Sequence, residues 1–183
     1  MKKIYIIVTH TGTVLSRIIQ CYTRDEYSHV SIALDENLQE MYSFGRLNPY
    51  NPFYGGFVHE NINEGTFKRF KKTKACIYSL EVEEYQYRKI KKIIERFYYN
   101  QKAYKFNVIG LFAVGLHIKI KARNSFYCAE FVKYVLEKSK VTDELPKIIR
   151  PENFKYMHNL KKVYKGRLKD YNEVIASNLV YEN

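Results

Sequence analysis

Ser28-His29-Val30-Ser31-Ile32-Ala33-Leu34 puts Val30, Ile32 and Leu34 on one side of an extended chain and His29, Ser31 and Ala33 on the other. Such two-residue alternation is the pattern of a half-buried β-strand. Asp35-Glu36-Asn37 follows as turn chemistry, and Leu38 to Phe44 returns as the second arm of a hairpin, which makes the sheet antiparallel. The register has two readings. A three-residue turn at Asp35 to Asn37 pairs Leu34 with Leu38 and puts Gln39, Met41 and Ser43 on the His29 face. A two-residue turn at Glu36-Asn37 puts Glu40 and Tyr42 there instead.

Outward from the hairpin, Lys3 to Thr9 alternates and is rich in β-branched residues, predicting a first strand that ends in a polar turn at His10-Thr11-Gly12-Thr13. Val14, Leu15, Ile18 and Ile19 recur at helical spacing up to about Tyr22. Gly45 to Gly65 contains Pro49, Pro52, Gly55 and Gly56 among many aromatics and shows no period, so it reads as a long loop, a lid or binding wall. Thr73 to Leu80 reads as a strand. Glu81 to Tyr99 reads as a helix with Tyr87, Ile90, Ile93, Ile94 and Phe97 facing inward. Phe106 to His117 fits either a helix or a buried connector. Ser125 to Lys138 reads as a helix capped by Ser125 with Phe131, Val135 and Leu136 inward. Pro151-Glu152 opens a short helix, and Lys161 to Lys165 reads as a last strand. These elements predict a single α+β domain over residues 1–183, an antiparallel sheet packed against helices.

The length of 183 residues suits one domain. Apolar residues at 46% and few Gly and Pro exclude collagen-like and disordered classes. The apolar run Val108 to Ile118 is broken by Gly110, Gly115 and His117 and falls short of the roughly 18 to 20 residues of a membrane span, so no integral membrane association is expected. Met1-Lys2-Lys3 before Ile4 to Val8 lacks the h-region and cleavage site of a signal peptide, which makes cytoplasmic residence the expectation. A net charge of +12 admits an anionic partner, but the excess Lys is spread along the chain. Its one dense run, Lys68 to Lys74, reads as a solvated face rather than a binding patch. Lys and Tyr interleaving at Tyr85 to Lys92 and Lys102 to Lys105 is the sole support for nucleic-acid binding.

Cys21, Cys76 and Cys128 have no paired spacing, so neither a disulfide framework nor a CxxC site is encoded. Cys21 and Cys76 read as core cysteines. Cys128 falls at about the third position of its helix, where unpaired N–H groups and the helix dipole favour a thiolate nucleophile. Such a nucleophile needs an imidazole to move its proton, and His29 on the polar face of its strand suits that role. His59, His117 and His158 lack metal-ligand spacing, so no metal or other cofactor is assigned.

SHVSIAL (28–34) resembles the histidine hairpin of the NlpC superfamily of papain-like peptidases and amidases, and FYCAEFVKYVLEK (126–138) resembles their nucleophile helix. His29 precedes Cys128, an order similar to the circularly permuted, YiiX-like branch. The resemblance spans about Ile4 to Leu136, including Tyr104, Asn107 and Gly110 of the connector. It departs at Asn107, where an acidic residue is common, and at Ala129-Glu130, where Ser-Glu is usual.

The resemblance implies a permuted papain-like fold and a cysteine-dependent hydrolase that cleaves an amide or ester through an acyl-enzyme on Cys128, with His29 as base. It implies Glu40 as the carboxylate that orients the imidazole, against the alternative of a solvent-facing strand residue. His10, Tyr127 and Tyr42 are the substrate-binding candidates, and the Cys128 N–H is the natural oxyanion donor. The substrate class is a small peptide, an acylated amine or a lipid-like molecule. A lipid acyltransferase, or a binding module of the same fold without catalysis, is the alternative.

Overall fold

The computed structural model describes residues 1–115, 118, 120 and 123–181. His117 lies outside the described residues, as does the side chain of Leu15. The elements run β1 (Lys2–His10), α1 (Val14–Thr23), β2 (His29–Ala33), β3 (Met41–Asn48), β4 (Asn51–Glu60), α2 (Gly65–Arg69), β5 (Lys74–Val82), α3 (Glu84–Tyr99), β6 (Lys105–Phe106), α4 (Val108–Gly115), β7 (Ser125–Phe126), α5 (Cys128–Lys138), β8 (Lys161–Arg167) and α6 (Tyr171–Tyr181). One six-stranded sheet has the order β4-β3-β2-β1-β5-β8, and each neighbouring pair is antiparallel. This is an α+β architecture. Among the described residues no helix is long and apolar enough to cross a membrane.

The sheet is covered on both faces, which explains why Ile4-Tyr5-Ile6-Ile7-Val8 of central β1 is buried without a break. On one face Ile4, Ile6, Val8, Val30, Ile32, Phe44 and Phe57 join Ile90, Ile94 and Phe97 of α3 and Phe131, Val132 and Val135 of α5. On the other, Tyr5, Ile7, Ala33, Met41 and Ile77 meet Phe67 of α2, Leu168 and Tyr171. Aromatic rings interlock the first layer, with Phe97 edge-on to Phe44 at 5.8 Å and to Phe131 at 5.2 Å between centroids. That geometry suits the ring quadrupole.

The inward set expected for the long helix holds, with Ile90, Ile94 and Phe97 buried and Tyr87 and Ile93 packed against them. Within the apolar stretch that follows β6, Val108–Gly115 form α4, capped by Asn107, whose Oδ1 accepts from the Gly110 N–H at 2.9 Å. Four expectations are corrected. Residues 45–65 are not a loop: β3 runs on to Asn48 and turns directly into β4, whose Phe57 faces the core opposite Phe44. The Gly and Pro residues masked a strand that tolerates them at a sheet edge. Ser125 does not cap α5, because Ser125 and Phe126 form β7 and the cap is Tyr127. Cys21 is exposed rather than core. Val14 and Ile18, read as an apolar helical stripe, are exposed as well.

Gly55 of β4 is where backbone and ring meet closely. A Cβ there would stand 2.8 Å from the Gly45 carbonyl oxygen and 2.8 Å from the Phe106 ring. Gly55→Ala is expected to destabilise the fold by about 1–3 kcal/mol through overpacking, read as a lowered urea midpoint with an unchanged m value. An unshifted midpoint would show that β4 and Phe106 move apart freely.

Candidate functional site

The β2–β3 connection follows neither register read from the sequence. Ile32 pairs with Tyr42 and Ala33 with Met41, and the Leu34 N–H donates to the Glu40 carbonyl at 3.1 Å. The connecting loop therefore covers 35–39. Asp35 stabilises it by accepting from the Gln39 N–H at 2.9 Å and the Glu40 N–H at 2.6 Å, while Leu38 adopts a left-handed φ of 56°. Continued along the strands, this register places Met41, Ser43 and Gly45 on the His29 face and turns Glu40 and Tyr42 to the opposite one.

Glu40 is accordingly not the partner of His29. That position belongs to Glu60, the last residue of β4, which pairs with Met41 and so shares the His29 face. His29 Nε2 lies 2.9 Å from Glu60 Oε1, and the other carboxylate oxygen accepts a hydrogen bond from the Ser31 hydroxyl. Ser31 Oγ is also 3.3 Å from His29 Nε2. The Glu60 side chain is 10% exposed and that of His29 19%, so the pair is shielded from water. Burial pulls the imidazole toward its neutral form, but the Glu60 charge and interaction with the Cys128 sulfur outweigh it, and the His29 pKa is pushed up to about 10. Burial likewise favours protonated Glu60. The opposing charge of His29, with hydrogen bonds from His29 and Ser31, prevails and holds the carboxyl below its ordinary value. The site carries an imidazolium–carboxylate pair at neutral pH.

Nε2 being engaged by Glu60, Nδ1 is the ring nitrogen left for the sulfur. Cys128 is the first residue of α5 and is buried. The first helical bond of α5 runs from the Phe131 N–H to the Tyr127 carbonyl, so the amides of Cys128 and Ala129 have no partner within the helix. Glu130 accepts from the Tyr127 N–H at 3.4 Å and fixes the entry into the helix. His29 and Cys128, far apart in sequence, begin β2 and α5 and line one cavity of about 70 Å³ together with Glu60, Gly45, Arg46 and Phe106.

The remaining candidates divide. His10 ends β1 beside the cavity, where Thr11 and Ser28 form part of the wall, and its Nδ1 hydrogen-bonds Ser28 Oγ at 3.4 Å. Burial, then Lys74 and Arg17, lower its pKa and favour the neutral ring. Tyr127 points away from the cavity: it is 3% exposed, and its hydroxyl donates to the Ile149 carbonyl at 2.9 Å, which makes it a core residue next to Cys128. Tyr42 is on the far face, stacked on His59 at 4.8 Å and Phe57 at 5.9 Å. Neither Tyr127 nor Tyr42 lines the cavity. Among the described residues no group of three or more His, Cys, Asp or Glu side chains is placed to hold a metal ion.

Sequence reasoning missed Glu60 and Ser31. The available signal for Glu60 is the short strand-forming run Phe57-Val58 just before it, obscured by Gly55-Gly56. No family model matches the chain, and no curated protein matches it.

Proposed function

We propose that the protein is a cysteine-dependent hydrolase of the amidase or peptidase kind, with Cys128 as nucleophile, His29 as proton carrier and Glu60 as the group that orients it. One observation carries this reading: a cysteine at the first position of a helix shares a cavity with an imidazole whose far nitrogen is held by a buried carboxylate. The histidine hairpin, the nucleophile helix and their order support kinship with permuted, NlpC-type papain-like enzymes, with Glu60 in place of Glu40 as the third member.

In this mechanism the Cys128 thiolate, with imidazolium as counter-ion, attacks the carbonyl carbon of an amide or ester. The carbonyl electrons move to oxygen, where the Cys128 N–H stabilises the charge. His29 then gives its proton to the departing nitrogen or oxygen as the tetrahedral intermediate collapses to an acyl-enzyme. Water, deprotonated by His29, releases the acid and restores the thiolate. Glu60 forms no bond to substrate; it fixes the ring and stabilises its cation.

Iodoacetamide at pH 7, with mass spectrometry of the labelled peptides, tests the reading. Cys21 is exposed and Cys128 buried, so access alone favours Cys21. The expected result is the reverse, Cys128 reacting about tenfold faster or more, with the advantage lost in His29→Ala. Faster labelling of Cys21 in the folded wild type overturns the assignment.

A further inference from the structure

Arg46 of β3 stands in the wall of the cavity that holds His29 and Cys128, and also in the wall of an adjoining cleft of about 160 Å³ beneath α2. Its side chain is half-buried. One Nη donates to Thr13 Oγ1 at 2.7 Å, and the guanidinium carbon lies 5.8 Å from the centre of the Phe70 ring. Among the described residues no carboxylate lies within ion-pair distance of it. Glu60 lines the same cavity, but its two oxygens are taken by His29 and Ser31. Arg69 adds repulsion, its guanidinium carbon lying over the Tyr50 ring at 3.8 Å from the centre.

A partly desolvated guanidinium without a counter-ion costs stability, and most of its five N–H donors remain uncommitted. Such a group beside a nucleophile is suited to an anion that arrives with the ligand. The single planar fork matches the two oxygens of a carboxylate, and the small volume of the cavity limits how far that carboxylate stands from the reacting carbon. We infer that the substrate carries a carboxylate a few bonds from its scissile carbonyl and that Arg46 binds it. This specificity rests on the reading of Cys128 as nucleophile.

Iodoacetate and iodoacetamide form the matched test, since both alkylate through thiolate attack on the methylene carbon with loss of iodide, and only the first carries a carboxylate. The rate of Cys128 labelling by each reagent is measured at pH 7 in wild type, Arg46→Gln and Arg46→Lys, with native circular dichroism as the check on folding. The expected result is an iodoacetate-to-iodoacetamide rate ratio that falls about tenfold in Arg46→Gln and less in Arg46→Lys. The ratio cancels any change in thiolate reactivity that both reagents share, and its comparison between wild type and Arg46→Gln cancels the attraction that His29 exerts on the anion in both proteins. Glutarate should protect Cys128 in the wild type and fail to do so in Arg46→Gln. An unchanged ratio in a folded Arg46→Gln overturns the inference while leaving the nucleophile in place. Stronger protection by inorganic phosphate than by glutarate overturns the choice of carboxylate. Absence of selective Cys128 labelling by iodoacetamide defeats the nucleophile reading itself.

Discussion

Glu60→Gln is expected to lower turnover, or the rate of Cys128 acylation by an activated ester, by roughly 10²- to 10⁴-fold while leaving the fold intact. Gln preserves the shape and one acceptor oxygen, so the hairpin and its register survive. The substitution removes the charge that offsets burial at His29, and an imidazole in that shielded position then reverts toward neutrality, because desolvation is the largest influence on it and acts downward. Neutral His29 is neither the counter-ion of a thiolate nor an acid for the leaving group. The control is Glu40→Gln: Glu40 faces the other side of the sheet, with its backbone held by Asp35, and its replacement should change the rate by less than about twofold. A Glu60→Gln protein of full activity, or a crippled Glu40→Gln protein, would return the orienting role to the hairpin's own second strand.

That contrast marks where the sequence was legible. Alternation in 28–34 is a local property, and so is the helical spacing of Ile90, Ile94 and Phe97; the helix buries the expected face, whereas β2 buries Ser31 and Ala33 as well as Val30 and Ile32, because the sheet is covered on both faces. His29 and Cys128 are marked by a strand and a helix start, and singled out as a pair by the resemblance of those two segments to a known arrangement; both line one cavity. The third partner depends on register instead. A connection over 35–39 has the same parity as the three-residue turn and the opposite parity to the two-residue one, so the choice between Glu40 and a residue on another strand hung on how Asp35 bonds the backbone across the turn. Composition does not encode that bond. Glu60 lay further out of reach because it requires a strand pairing across Gly45, Gly55 and Gly56, residues that lower strand propensity yet leave room here for His29, Phe106 and Leu47 to approach.

The buried pair also makes stability depend on pH in a defined window. In the unfolded chain His29 titrates near its ordinary 6.5, and in the folded protein at about 10. Between these values the native state holds a proton that the unfolded state has released, so stability falls as pH rises. The contribution is fully present below 6.5 and gone above about 10, and a shift of this size corresponds to a few kcal/mol, since each unit is worth about 1.4 kcal/mol. Glu60 acts with the opposite sign: its lowered pKa contributes stability above the ordinary carboxyl range that is lost as pH falls through the folded value. The pair is therefore strongest from about pH 5 to 6.5 and weakens on both sides. Urea midpoints of wild type and Glu60→Gln across pH 4 to 10.5 separate this from the titration of tyrosines and lysines, which both proteins share. The gap between the two curves should be widest near pH 6 and shrink by several-fold by pH 10. A gap independent of pH would mean that Glu60 stabilises the fold through packing and its bond to Ser31 alone, with His29 neutral throughout, and a neutral His29 would remove the counter-ion on which the thiolate mechanism depends.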